Sequence, residues 1–94
     1  MSVNFEPGLQ IIIMAATGDE YEEFVPVSHI VFTATAAGTF TVTELSTGHE
    51  LARFEATTYE MNKVVPIDRN VNGLKLTIGG TGAGQIAVYL KKKV

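Results

Sequence analysis

The chain has no cysteine and no tryptophan among its 94 residues. Without cysteine no disulfide can supplement the core, and no thiolate metal site can form. Charge is scarce as well: 18% of the residues are charged against 46% hydrophobic. The 7 basic residues are outnumbered by 10 acidic ones, for a net charge of -3. A weakly acidic chain is poorly suited to general nucleic-acid binding, which needs a basic surface to displace counterions. The apolar fraction is too high for a disordered chain. No run approaches the roughly 18 apolar residues of a membrane helix. The opening stretch "MSVNFEPGLQIIIMAA" has no positively charged segment ahead of its short apolar run, so a signal peptide is not expected. Serines are few (Ser2, Ser28 and Ser46), and none stands in the G-x-S-x-G setting of a nucleophile elbow. The low charge hints that part of the surface is covered by a partner.

What the chain does have is alternation. In "SHIVFTAT" Ile30, Phe32 and Ala34 fall on one side, with His29, Val31 and Thr33 on the other. Phe40 and Val42 alternate with threonines. Ala52, Phe54 and Ala56 alternate with Leu51, Arg53 and Glu55. Leu74, Leu76 and Ile78 alternate with Lys75 and Thr77, and Ile86, Val88 and Leu90 with Ala87, Tyr89 and Lys91. Branched side chains dominate these runs and suit a pleated surface better than a helix. Turn chemistry separates them at residues 36–38, 46–48, 70–73 and 79–84. Strands at this spacing predict an all-β fold: a small antiparallel β-sandwich, jelly-roll-like, of about seven strands. Residues 1–94 form a single domain, with 1–8 as an extended N-terminal arm.

Three segments carry more specific expectations. Residues 9–15 are apolar without alternation, so that strand is either buried on both faces or covered on one by a neighbouring subunit. "GDEYEEFVP" suits one helical turn, capped by Asp19 and ended by Pro26, or equally a loop. Residues 64–68 read as a short edge strand, because Pro66 cannot donate to a ladder.

"GGTGAG", residues 79–84, holds four glycines in six residues. It matches the glycine half of a phosphate-binding P-loop, but Gln85 and Ile86 stand where Lys and Ser or Thr are required. An alternating strand follows it, where a helix N-terminus would be needed to hold phosphate. The cluster therefore reads as a flexible hairpin connection, whose glycines relax the steric limits of a tight reversal or let another backbone, such as a neighbouring subunit's, come close.

His29 and His49 are the only histidines. No local spacing joins them to carboxylates for metal binding or general-base chemistry. Asp19, Glu20, Glu22 and Glu23 lack the alternating ligands and glycine turn of a calcium loop. They suit a solvated loop or a meeting with a basic partner. Lys91, Lys92 and Lys93 discourage edge pairing at the end of the last strand, or dock on an acidic surface. Exposed Tyr21, Tyr59 or Tyr89 on a concave face would favour a carbohydrate-binding module.

The pieces Gly38-Thr39-Phe40-Thr41-Val42-Thr43, Gly73-Leu74-Lys75-Leu76-Thr77-Ile78, Gly82, Gly84 and Val88-Tyr89 resemble small all-β virion proteins of tailed bacteriophages. The resemblance covers roughly residues 27–91. It implies a non-enzymatic decoration or cement protein on the capsid exterior, or a head–tail junction component, made in the host cytoplasm. It further implies the major capsid protein and other copies of the chain, often as trimers, as partners. It implies no chemistry, and so no catalytic, cofactor or metal residues; the charge balance and the short apolar runs predict neither nucleic acid nor membrane as a partner. Beside it, the residues single out three partner contacts. These are the N-terminal segment with Phe5, Leu9, Ile11 and Ile13, the acidic segment with Asp19, Glu20, Glu22 and Glu23, and the lysine tail. A carbohydrate- or host-surface-binding β-module is the alternative.

Overall fold

Alternating runs of branched and aromatic residues set the strands. The computed structural model describes residues 3–6 by their backbone and residues 11–91 in full. The strands are β1 (Val3–Glu6), β2 (Ile11–Met14), β3 (Glu20–Ala36), β4 (Gly38–Glu44), β5 (Glu50–Ala56), β6 (Asn62–Gly79) and β7 (Ala83–Leu90). They form one sheet in the order β1-β2-β7-β3-β6-β4-β5. Every neighbouring pair is antiparallel. The all-β, antiparallel expectation therefore holds. The architecture is this single continuous strand order.

Three local readings change. Val3–Glu6 is a strand on the edge of the sheet rather than only an arm. The expected helical turn or loop near Asp19 is instead the start of β3, with a register shift between Tyr21 and Phe24. The expected edge strand at 64–68 and the strand at 74–78 are one 18-residue strand, β6. The supposed break between them is a bend inside that strand. Asp68 adopts a left-handed φ of 52° and Gly73 a φ of 86°. Turn-forming residues here bend a strand instead of ending it, because the ladder to β3 continues on both sides of the irregularity. Pro66 nevertheless has its edge position. Along this stretch β6 pairs with β3 alone, and its pairing with β4 begins only at Leu74.

These bends fold the sheet over itself. In a flat sheet β3 and β5 would lie three spacings, roughly 14 Å, apart. Instead the ring of Phe32 in β3 lies 5.6 Å from that of Phe54 in β5. Phe40 in β4 joins them, with ring centroids 6.4 Å from Phe32 and 6.2 Å from Phe54. One half of the sandwich comprises β1, β2, β7, residues 29–36 of β3 and residues 62–67 of β6. The other comprises residues 20–25 of β3, residues 71–79 of β6, β4 and β5. Between them lie Ile12, Met14, Ile30, Leu74, Leu76, Ile86 and Val88, all fully buried. Each such side chain contributes about 1.5–3 kcal/mol through removal from water.

The glycine cluster forms the β6–β7 reversal, and it is packed rather than open. A Cβ on Gly38 would come within 2.6 Å of the Gly82 nitrogen. A Cβ on Gly84, whose φ is 146°, would come within 2.7 Å of the Ala34 Cα. The segment that approaches the bare backbone is the molecule's own β3–β4 corner.

Candidate functional site

Opposite residues of an antiparallel pair share a face, so the register fixes what each outer surface carries. On the β5 half, Thr41 stands opposite both Arg53 and Thr77. Lys75 stands opposite Thr43 and Glu20. That surface is threonine and charge. Arg53 lies 3.9 Å from Glu50 and 3.7 Å from Glu55, and Lys75 lies 3.9 Å from Glu20.

The outer surface of the β2 half is different in kind. One row of register partners runs Ile11, Tyr89, His29 and Pro66 across β2, β7, β3 and β6. The next runs Ile13, Ala87, Val31 and Val64. None of these eight positions is charged; at the β1 edge the rows continue by register to Glu6, opposite Ile11, and Asn4, opposite Ile13. Val64 is 60% exposed, Pro66 is exposed, and the others are half-buried. The His29 and Tyr89 rings stack at 4.5 Å, inclined by 10°. Ser28 Oγ and His29 Nδ1 share a hydrogen bond of 3.0 Å. This ordered pair holds the two aromatic rings of the eight positions, side by side on the adjacent strands β3 and β7. Sheets with one solvated face normally alternate apolar inside and polar outside, as the β5 half does.

The contacts expected from sequence do not meet in one place. Ile11 and Ile13 lie on the apolar face, while their neighbours Ile12 and Met14 are buried inside. Residues 9–15 are therefore buried on one side only, where β2 is described. Phe5 is placed by backbone register opposite Ile12 in β1. Leu9, Lys92 and Lys93 lie outside the described residues. Asp19 is fully buried, and its carboxylate accepts the amides of Ala15 and Ala16 at 3.2 and 3.1 Å. It braces the β2–β3 turn and is not presented to a partner. Glu20 pairs with Lys75, and Glu22 and Glu23 are exposed at the β3 bulge beside Phe24, which is also exposed. Lys91 is held at the bend, 3.1 Å from Asp68, and its amide donates to the Pro26 carbonyl. The acidic segment and the lysine end belong to different places in the fold.

Residue reading missed His29, Val31, Ala87, Tyr89, Val64 and Pro66 as one surface. Each strand shows only one or two apolar residues at outward positions. The signal was the recurrence of such residues in four strands, and only the register brings them side by side.

A second cluster surrounds Glu44. Its carboxylate accepts the Asn72 amide at 2.9 Å and the Thr47 hydroxyl at 2.8 Å, and Arg69 lies 3.7 Å away. The Asn72 amide bond, then the Thr47 bond, hold its pKa below the usual carboxylate range against the opposing effect of burial. The nearby Arg69 and His49 charges add to the lowering. The β4–β5 turn is pinned to the same place by the Leu45 amide on the Gly73 carbonyl and the Ser46 amide on that of Asn72. The acceptors of Glu44 are thus engaged in bracing a turn against the β6 bend. The tyrosines do not share a face. Tyr21 packs against the core, Tyr59 is 99% exposed in the β5–β6 turn, and Tyr89 is stacked on His29. Among the described residues no pocket opens and no three His, Asp or Glu side chains converge on a metal-sized site. No helix among them is long and apolar enough to cross a membrane.

The apolar face of the β2 half is the surface that departs furthest from what a solvated sheet requires. Compared with known proteins, the chain matches no family model, no curated protein and no solved structure.

Proposed function

We propose that this protein is a non-enzymatic structural component of a phage virion, attached to the outside of the capsid as a decoration or cement protein. It works by contact, bridging neighbouring capsid subunits, with the major capsid protein and copies of itself as partners. The observation that carries the reading is the outer face of the β2 half, with two apolar rows across four strands and no charge at those eight positions. A face of this composition is suited to being covered in the working state. The resemblance of the glycine-threonine strand and the glycine-rich last hairpin to phage virion proteins supplies the assembly. A small chain without disulfides gains stability by mass action when it docks on a lattice of sites.

Cosedimentation with purified phage heads tests this. At micromolar concentration the protein is expected in the pellet with intact heads, and decorated heads are expected to resist heat better than bare ones. Protein that stays in the supernatant beside intact heads would overturn the proposal.

A further inference from the structure

We infer that the apolar face of the β2 half closes on the same face of a second copy of this chain, as a two-fold dimer with sheets packed face to face. The inference rests on the assembly reading above and names the partner of that surface.

Three observations select a second copy. First, the eight positions on β2, β7, β3 and β6 carry no charge, and a two-fold axis between the rows sets the one acidic position at their β1 edge, Glu6 beside Ile11, over Asn4 beside Ile13, so bringing the face onto itself creates no like-charge contact. The molecule's other outer face carries Glu20, Glu50, Arg53, Glu55 and Lys75. Stacking head to tail would press those ions against isoleucine and valine, an expensive desolvation. Among the chain's own surfaces the apolar face is therefore its own best match, which is the condition for an isologous contact.

Second, the side-chain sizes of the two rows complement each other, large rings in one and a small alanine in the other. The His29–Tyr89 stack lies in one row. In the next row Ala87 stands between Ile13 and Val31. A two-fold axis between the rows sets each stack over the other copy's alanine, so both contacts form at once. A rigid tyrosine in a small pocket is a common interface anchor.

Third, the area suffices for a modest dimer. Four strands about 4.8 Å apart, with two apolar rows and the flanking row of Gln85, Thr33 and Asn62, cover roughly 19 by 20 Å. With side-chain relief, two such faces bury on the order of 1,000 Å² in total. That is the lower end of specific interfaces, and it points to association in the micromolar range.

The experiment uses the purified full chain without capsids. Sedimentation equilibrium is expected to show a mass rising from monomer to dimer across micromolar concentrations. Val31→Glu is expected to weaken the dimer by about tenfold or more, with its circular dichroism unchanged, whereas Thr41→Glu on the other face leaves association as it was. The absence of cysteine gives a second measurement that does not depend on how Val31→Glu folds. Ala87→Cys treated with a short thiol-to-thiol crosslinker is expected to give a covalent dimer, and Thr41→Cys is not. A monomeric mass at concentrations approaching millimolar, or equal crosslinking of the two cysteine variants, would overturn the dimer. Protein that pellets with phage heads while failing both tests would remove the dimer and leave the assembly reading standing. A crosslinked dimer that stays in the supernatant would do the reverse.

Discussion

At the residue scale, short-range conflicts decide how this fold tolerates change. Gly84 combines a φ of 146° with the Thr33 and Ala34 backbone directly beside it. Gly48 has a φ of 75°, but a Cβ there would meet no atom within 4 Å. Gly84→Ala is therefore expected to cost about 3 kcal/mol or more, since backbone must move. Gly48→Ala is expected to cost only about 1 kcal/mol of left-handed strain. Urea unfolding of the two variants checks the contrast, and equal losses would refute it. Glu44 predicts a pH effect. Its folded-state pKa lies below the unfolded value, chiefly through the Asn72 amide. Its contribution is therefore complete above the ordinary glutamate range and fades as pH falls through that range toward the folded value. Glu44→Gln is expected to flatten this part of the acid limb in a stability–pH profile, and an unchanged profile would count against the brace.

Elements are defined here by bends as much as by runs. β3 and β6 each serve both halves of the sandwich, and their bulges near Phe24, Ser28, Asp68 and Gly73 let one sheet become two layers. Phe32 locks the closure, because its ring meets Phe40 and Phe54 from the other half. Phe32→Ala is expected to cost about 3–5 kcal/mol, against a total of about 5–14 kcal/mol for a chain of this size. Thermal melts should show a large fall in Tm or no folded baseline. A loss below about 1 kcal/mol would mean that the halves are held together elsewhere. The alternating runs of β4, β5 and β7 were readable because a period of two survives along each of them. β6 was not, because Asn70-Val71-Asn72-Gly73 has the same composition whether it ends a strand or bends one. Only the ladder to β3 on both sides distinguishes the cases.

For the whole molecule, the order of strands sets the kinetics. β2 pairs with β7, joining opposite ends of the chain, and β7 in turn lies beside β3. Such non-local pairing places folding in the range of about milliseconds to seconds. Stopped-flow refolding checks this, and a microsecond phase carrying the full amplitude would contradict it. The candidate surface also exists only at this scale. Ile11, Tyr89, His29 and Pro66 come from four distant parts of the chain and meet through three consecutive strand pairings.

Local facts were legible in the order of residues alone: an all-β chain, the residues that face inward on most strands, and a glycine cluster unsuited to phosphate. Side-chain periodicity and turn chemistry are properties of neighbours in the chain, so they can be read there. Three outcomes waited for the folded molecule. β6 is continuous, Asp19 is a buried brace, and outward Ile, Val, His and Tyr side chains form one apolar face. Those outcomes depend on register. A shift of one residue would turn every side chain of a strand to the opposite face, and that choice is made by the packing of the whole core.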